Sequence, residues 1–115
     1  MKSIEDAHNI SPVDKQLLAD LKRTVLERLP DATLLLYGSA ARGEREPESD
    51  YDVLVLTSVP LTSEEHDAVE CAIYALELEH EVVISTIYVT WEQWRLPIRT
   101  ASPFYRNVER EAMRL

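Results

Sequence analysis

The two glycines of this 115-residue chain, Gly38 and Gly43, lie in one short segment. Glycine reaches backbone conformations that other residues avoid, and it lets neighbouring groups approach the main chain closely. A chain that has no glycine elsewhere is expected to need special backbone geometry in this segment. An apolar run precedes the segment at residues 32–37 and another follows it at residues 50–57, which predicts a strand, a sharp bend and a second strand.

The rest of the chain alternates helix and strand signals. Capping residues predict helices that begin after Ser11, Thr62 or Ser63, Thr90 and Ser102. A β-branched run at residues 81–89 predicts a third strand. This order predicts an α/β (α+β) fold in which helices cover a small mixed three-stranded sheet. We expect residues 1–10 to form a flexible N-terminal arm and residues 11–115 to form a single domain.

Composition narrows the class of function. The chain has 21 acidic and 12 basic residues and a formal net charge of −9, which argues against general nucleic-acid binding because phosphate backbones attract clustered lysine and arginine. The apolar runs fall far short of the roughly 20 residues that cross a bilayer, so no membrane association is expected. The first ten residues carry acids where a secretory signal needs an apolar stretch, and Cys71 is the only cysteine. These features predict a cytoplasmic, reducing location.

Two carboxylates begin the second predicted strand. Residues two apart on a strand point to the same face, so Asp50 and Asp52 are expected to project together while Tyr51 points the other way. Two carboxylates held close together repel each other unless a cation lies between them. Carboxylate oxygens suit Mg²⁺, which commonly takes one or two protein carboxylates together with substrate phosphates.

Gly38 and Ser39 stand where the first predicted strand ends. Gly38 allows a sharp bend and a close approach of the backbone to a ligand. Ser39 and a helical turn after it offer a hydroxyl and backbone N–H groups to a phosphate. These groups can cooperate with the two carboxylates only if the first two strands are antiparallel. The second strand, the following helix and the third strand form a crossover unit, which favours a parallel pair. A parallel pair would bring Glu81, the first residue of the predicted third strand, to the same end of the sheet.

Competing motifs do not fit this segment. No third glycine follows at the spacing of a dinucleotide-binding fold, and no Gly-Lys-Ser/Thr sequence forms a nucleotide P-loop. The Asp-Tyr-Asp sequence at residues 50–52 lacks the glycine and the later bidentate glutamate of a calcium-binding loop.

The segment resembles a known family. After an apolar strand, Gly38-Ser39 is followed by ten residues and then by Asp50-x-Asp52. This pattern, within the string YGSAARGEREPESDYDVLVL, is similar to the minimal nucleotidyltransferases of the DNA polymerase β-like superfamily. The order of elements over roughly residues 11–95 is compatible with that family, and the ending SPFYRNVEREAMRL resembles the tail of its small stand-alone members.

The resemblance implies an activity and a partner. It implies Mg²⁺-dependent transfer of a nucleoside monophosphate from a nucleoside triphosphate, with ATP as the expected donor, to an acceptor hydroxyl. Many stand-alone members of the family are antitoxins paired with HEPN-type RNase toxins, and some of them adenylylate a toxin tyrosine. A HEPN-type toxin is therefore the expected partner, and the chain is expected to be an antitoxin.

The resemblance also implies roles for individual residues. Asp50 and Asp52 would be catalytic and would hold one or two Mg²⁺ ions that bridge the triphosphate and the attacking oxygen. Gly38 and Ser39 would position the terminal phosphates of the nucleotide.

Two arginines and one further acid complete the predicted site. Arg42 and Arg45 are plausible contacts to the phosphates or the acceptor. The family usually supplies a third carboxylate from the neighbouring strand, and Glu81 is the only acid in that predicted strand. Either Glu81 serves as the third metal ligand or base, or the site is incomplete.

Three functions therefore remain open. A site on 115 residues is shallow, which favours an acceptor carried by a partner protein that completes the pocket. An incomplete site would instead belong to a homologue that neutralises a toxin by binding alone. A third interpretation is an enzyme that modifies a small molecule, such as an antibiotic hydroxyl, with a homodimer completing the pocket.

Overall fold

The computed structural model describes residues 2–42 and 50–115. Its helices are α1 (Pro12–Leu26), α2 (Gly38–Ala41), α3 (Ser63–His80), α4 (Trp91–Trp94), α5 (Pro97–Thr100) and α6 (Pro103–Glu111). Its strands are β1 (Lys2–Ser3), β2 (Thr33–Tyr37), β3 (Tyr51–Thr57), β4 (Ile84–Thr90) and β5 (Met113–Arg114). A short 3₁₀ helix at Ile4–Asp6 follows β1.

The strands form one mixed sheet in the order β1-β5-β2-β3-β4. β2 and β3 pair antiparallel, and β3 and β4 pair parallel through the crossover helix α3, as the sequence predicts. The predicted α/β class is confirmed, but the predicted number of three strands was wrong. The two additional strands, β1 and β5, are two residues long each and pair with one another near the two ends of the chain.

The N-terminal segment differs from the predicted flexible arm. Lys2 and Ser3 pair in parallel with Met113 and Arg114, which in turn lie next to β2. Because residues 2–10 contribute apolar side chains to the core, the segment packs on the domain. These buried side chains are Ala7 and Ile10.

Local signals explain where the helices begin. The Ser11 hydroxyl accepts a hydrogen bond from the N–H of Asp14 at the start of α1. Thr62 and Glu65 form a reciprocal capping box at the start of α3, which satisfies N–H groups that have no partner within the helix. Both helices therefore start where their capping residues predict.

The third predicted strand begins later than its sequence indicates. α3 runs to His80, and Glu81 ends it as a left-handed C-cap with φ 55° and ψ 47°. The N–H of Val82 then donates to the carbonyl of Glu77, which is one way a helix terminus is closed. β4 starts only at Ile84, so Glu81 belongs to the helix end and not to the strand.

The core lies on both faces of the sheet. Val53 and Val55 of β3 belong to the cluster that also contains the buried faces of α1 and α3, whereas Leu54 and Leu56 belong to a second cluster with Trp94. Alternate residues of β3 thus fill opposite layers, which fixes the direction in which each neighbouring side chain points. Within the described residues, no helix is both long and apolar enough to cross a membrane.

Candidate active site at the N-terminal end of β3

The bend after β2 requires a glycine. Gly38 follows Tyr37, the last residue of β2, and its φ is +74°, a conformation that costs other residues roughly 1 kcal/mol or more. A Cβ atom added to Gly38 would lie 2.6 Å from Oδ2 of Asp52. The group that packs closely against Gly38 is therefore the carboxylate of Asp52, and the predicted close approach of a ligand to this backbone stays a prediction.

The helical turn that starts at this bend is α2. Ala40 and Ala41 are buried and anchor the turn, whereas Ser39 is half-buried. Tyr37, the N-cap residue, makes no side-chain hydrogen bond to the turn within the described structure. The first N–H groups of α2 therefore begin beside Asp52 without a capping side chain, and such groups suit phosphate oxygens.

Asp50 and Asp52 share one end of the sheet, as predicted. Asp52 pairs with Tyr37 of β2 and with Ser85 of β4, and Asp50 stands immediately before β3. Burial raises the pKa of the Asp52 carboxyl above its ordinary value, and the nearby negative charge of Asp50 raises it further. The two carboxylates therefore repel each other in the folded protein.

This donor set fits a divalent cation as a two-carboxylate site. A cation between Asp50 and Asp52 would remove the repulsion that raises the Asp52 pKa, and phosphate oxygens of a bound nucleotide would complete its coordination. Among residues 2–42 and 50–115, no group of three or more His, Cys, Asp or Glu side chains is arranged to hold a metal. The described part of the site thus supplies two carboxylates.

A serine lies where the resemblance predicts a third carboxylate. Ser85 is the register partner of Asp52 on the neighbouring strand, and its hydroxyl donates a hydrogen bond of 2.8 Å to Oδ2 of Asp50. Sequence reasoning missed this residue because the parallel register of β3 and β4 was not known. Once the register of β3 and β4 is known, the β4 residue that pairs with Asp52 is identified as Ser85.

The structure does not bring Glu81 together with the two aspartates. Glu81 is exposed at the C-cap of α3, and the register partner of Tyr51 is Ile84, three residues farther along the chain. Glu81 therefore belongs to the end of α3, although the sequence pattern predicts that it begins the third strand.

The two predicted arginines have different outcomes. Arg42 is the C-cap of α2, and its guanidinium donates to Oε2 of Glu111 on α6 at 3.0 Å. It also lines a groove of about 1000 Å³ between the N-terminal segment and α6. Its predicted contact to nucleotide or acceptor stays a prediction. Arg45, like Gly43, lies outside the residues that the structure describes.

Aromatic side chains border the site. Burial raises the pKa of the Tyr37 hydroxyl, with a further contribution from the charge of Asp52, so the tyrosine lies close to that carboxylate. Its ring meets the half-exposed Phe104 of α6 edge-on at 5.4 Å between centroids. Tyr51 points to the opposite face, as predicted, and its hydroxyl donates to Asp14 of α1. Sequence reasoning did not identify Tyr37 as part of the site.

A separate cavity of about 400 Å³ lies at the opposite end of β3. It is lined by polar and aromatic residues that include Thr57, Thr62, His66, Tyr88, Thr90 and Gln93. Neither aspartate borders this cavity, so the carboxylate pair and the cavity are distinct features.

Comparison with known proteins identifies the family. The profile of the nucleotidyltransferase domain matches residues 18–112, which include the Gly38 bend, both aspartates and β4. The chain belongs to the nucleotidyltransferase domain family. The resemblance seen in the sequence is thereby confirmed, and the carboxylate pair lies within the matched region of this nucleotidyltransferase domain.

Solved structures agree with the fold of this nucleotidyltransferase domain. A structure described as a minimal nucleotidyltransferase is 25% identical, with a TM-score of 0.57, and the match covers 88% of this chain and 94% of that one. A chain of a toxin–antitoxin structure determined with AMP-PNP is 17% identical, also with a TM-score of 0.57, and the match covers 88% of this chain and 71% of that one. No curated protein matches the chain significantly.

Proposed function

We propose that the protein is a Mg²⁺-dependent nucleotidyltransferase that transfers AMP from ATP to a hydroxyl of a partner protein. The observation that carries the proposal is the packing of Asp52 against the left-handed Gly38, with Asp50 adjacent, within a nucleotidyltransferase domain. Two carboxylates beside uncapped backbone amides suit a metal-bound triphosphate, because the first bind the cation and the second bind phosphate oxygens.

Each group has a separate task in the proposed reaction. The hydroxyl and N–H of Ser39 and the N–H of Ala40 hold the terminal phosphates, and Asp50 and Asp52 hold the cation. A divalent cation held there would neutralise charge on the triphosphate and on the leaving group. The acceptor oxygen bonds to the α-phosphorus as the bond to the β-phosphate oxygen breaks. Pyrophosphate leaves, and the hydroxyl proton passes to a carboxylate or to water.

A toxin is the proposed partner, and this chain is the proposed antitoxin. The similarity to a chain of a toxin–antitoxin structure determined with AMP-PNP supports both a toxin partner and an adenine nucleotide. A HEPN-type RNase toxin with an acceptor tyrosine is the specific form that we propose. Asp50 is exposed, and Tyr37 beside Asp52 contacts the half-exposed Phe104, which suits an acceptor that is carried on a protein surface.

Transfer of label to the partner tests this proposal. The protein is incubated with its co-expressed toxin and Mg²⁺, with either [α-³²P]ATP or [γ-³²P]ATP. We expect the α-label to appear on a toxin tyrosine and the γ-label to remain in pyrophosphate. The Asp50→Ala/Asp52→Ala variant should give no labelled toxin. Label from the wild-type protein on a small compound, and none on the toxin, would favour small-molecule modification instead.

One observation favours neutralisation by binding alone as a second candidate. Ser85 stands at the β4 position beside Asp52, and no third carboxylate joins the pair among the described residues. Co-expression of the toxin with the Asp50→Ala/Asp52→Ala variant separates the two functions. An enzymatic antitoxin should lose neutralisation in this variant, whereas a pure binder should neutralise as well as the wild-type protein.

A further inference from the structure

β4 is an edge strand of the sheet, with β3 on one side and no strand on the other in the part of the chain that the structure describes. The N–H of Tyr51 donates to the carbonyl of Val83, and the parallel register pairs Tyr51 with Ile84. In such a ladder, backbone groups of alternate residues turn toward the partner strand. The N–H and C=O groups of Ile84, Thr86 and Tyr88 therefore point away from β3.

At both ends of this edge, side chains accept hydrogen bonds from the outward N–H groups of β4. The N–H of Ile84 donates to Oε2 of Glu77 at 2.9 Å, and the N–H of Thr90 donates to Oε1 of Gln93 at 3.0 Å. Between them the sequence ISTIYVT contains no charged residue and no proline, and it keeps one continuous register with β3. An edge without these protective features is a template for an added strand.

Exposed apolar side chains border the open edge. Val83 is 53% exposed and Ile87 is 40% exposed. On α3, Tyr74 is 59% exposed and lies within one turn of both Glu70 and Glu77, so it shares their side of the helix. Exposed apolar groups beside unpaired backbone groups are typical of a surface that binds another protein.

The helix beside this edge is acidic. α3 contains six acidic residues and no lysine or arginine, and β4 contains no charged residue. Acids on α3 reach the strand directly, since Glu70 accepts a hydrogen bond from the hydroxyl of Thr86 and Glu77 accepts one from the N–H of Ile84. A strand placed along β4 would therefore lie beside the carboxylates of Glu70 and Glu77.

We propose that the open edge of β4 binds an extended, lysine- or arginine-rich segment of a partner protein as a sixth strand. The outward N–H and C=O groups of Thr86 and Tyr88 supply main-chain hydrogen bonds, which give affinity without regard to sequence. The carboxylates of α3 select basic side chains on the face of the added strand that is turned toward the helix.

The same charges disfavour pairing of β4 with a second copy of the chain. Antiparallel pairing of two β4 edges about a two-fold axis would put both α3 helices on the same side of the extended sheet. Glu70 and Glu77 of one copy would then face those of the other across the new junction, and like charges in that position repel. A basic segment removes this repulsion.

The edge also adjoins the candidate active site. Ser85 of β4 donates to Asp50, and an added strand would lie about 4.8 Å from β4. A bound segment would therefore bring its neighbouring residues close to the carboxylates, and this consequence alone rests on the proposed function.

Binding of a defined peptide tests the proposal. The probe is a fluorescein-labelled ten-residue peptide that alternates lysine with valine, and its counterpart alternates glutamate with valine. We expect anisotropy to give at least tenfold tighter binding of the lysine peptide, with affinity that falls as NaCl rises. In ¹⁵N-labelled protein, the amide signals of Thr86 and Tyr88 should shift more than those of β2.

Matched variants separate strand addition from simple charge attraction. Thr86→Pro removes an outward N–H and should weaken the lysine peptide at least tenfold, whereas Thr86→Val loses the same hydroxyl, keeps the N–H and should bind within twofold of wild type. If Thr86→Pro does not fold, Ile87→Lys replaces it, with Val13→Lys on α1 as the control for added charge. Gly38→Ala, which keeps both carboxylate charges, should bind the peptide within twofold, so loss of catalysis and loss of docking are distinguishable.

Three results would overturn the proposal. One is equal binding of the glutamate peptide, and another is unchanged binding by folded Thr86→Pro or by Ile87→Lys. The third is a dimer in sedimentation velocity that the lysine peptide or Thr86→Pro dissociates, since the edge would then be occupied by a second copy.

Discussion

Near the C-terminal end of β3, Thr57 and Thr62 form hydrogen bonds with nearby residues. The Thr57 hydroxyl donates to the carbonyl of Val59 at 2.8 Å, and Thr62 and Glu65 cap α3 reciprocally. At its N-terminal end the opposite holds. There Asp52 faces the charge of Asp50, and its carboxylate lies where a side chain of residue 38 would be.

The difference teaches where chemistry is expected in this molecule. The C-terminal end of β3 borders the cavity of about 400 Å³, and two of the threonines that line this cavity, Thr62 and Thr90, cap the starts of α3 and α4. The N-terminal end holds two carboxylates that repel each other, and carboxyl groups with a perturbed pKa are commonly found at functional sites. The cavity of about 400 Å³ therefore lies at the end of β3 that is away from the carboxylate pair.

Gly38→Ala is expected to have the largest effect, which is a fall in the rate of nucleotidyl transfer. A Cβ atom there meets Oδ2 of Asp52 at 2.6 Å, and the φ of +74° is unfavourable for alanine. Because the carboxylate must move away from the bend, we expect nucleotidyl transfer to fall on the order of 100-fold. Initial rates with the toxin acceptor measure this, and Ala41→Gly controls for a change in α2. An unchanged rate would mean that the bend does not position Asp52.

Ser85→Ala, at the same end of β3, should have a smaller effect on nucleotidyl transfer. The serine donates to Asp50 at 2.8 Å, and loss of a hydrogen bond to a metal ligand typically lowers metal affinity about tenfold. Mg²⁺ titrations of transfer and of nucleotide binding should both shift, while saturating Mg²⁺ should restore most of the rate. If Mg²⁺ dependence stays the same, Ser85 does not orient Asp50.

Thr62→Ala should affect stability and leave the reaction intact. The variant removes the N-cap of α3, which lies near the C-terminal end of β3. This loss costs about 1 kcal/mol of unfolding free energy. Denaturant unfolding measures the loss, and Thr62→Ser is the matched control. A large fall in transfer rate by the folded Thr62→Ala protein would contradict the division between the two ends of β3.

The smallest effect is a gain in stability for Asp52→Asn. The folded protein raises the pKa of Asp52 above its ordinary 3.8, so ionisation of this carboxyl destabilises the fold as pH rises through that raised value. In EDTA at pH 7 the variant should be more stable by on the order of 0.5 kcal/mol, after allowance for solvent screening of this partly exposed group.

The pH dependence supplies the check on Asp52→Asn. The gain in stability should disappear below about pH 3.8, where the wild-type carboxyl is protonated in both the folded and the unfolded chain. Denaturant melts of both proteins at pH 7 and pH 3.5 measure it. Equal stability at pH 7 would show that Asp50 and burial do not strain Asp52.

Local signals made much of the fold predictable. Ser11 and Thr62 mark their helix starts within the sequence itself, and the apolar runs before Gly38 and after Asp50 are long enough to read as strands. β1 and β5 were not predicted, because a two-residue strand is too short to show a periodic pattern. These strands form only because residues 2–3 pair with residues 113–114.

The site was predictable where it depends on neighbours in sequence. The shared side of Asp50 and Asp52 follows from the two-residue period of a strand, and the sharp bend after β2 follows from the backbone freedom of Gly38, whose φ is +74°. Ser85 and Glu81 were misjudged because their positions depend on where α3 ends and on how β4 aligns with β3. Both are set by tertiary packing.

Nucleotide binding tests the central claim most directly. Isothermal titration of AMP-PNP into the wild-type protein and into Asp50→Asn/Asp52→Asn, each with Mg²⁺ or with EDTA, isolates the carboxylate pair. We predict that the wild-type protein binds with Mg²⁺ and that EDTA or the double variant weakens binding on the order of 100-fold or more. Equally tight binding by the double variant in Mg²⁺ would contradict the assignment of the metal and nucleotide to this end of β3.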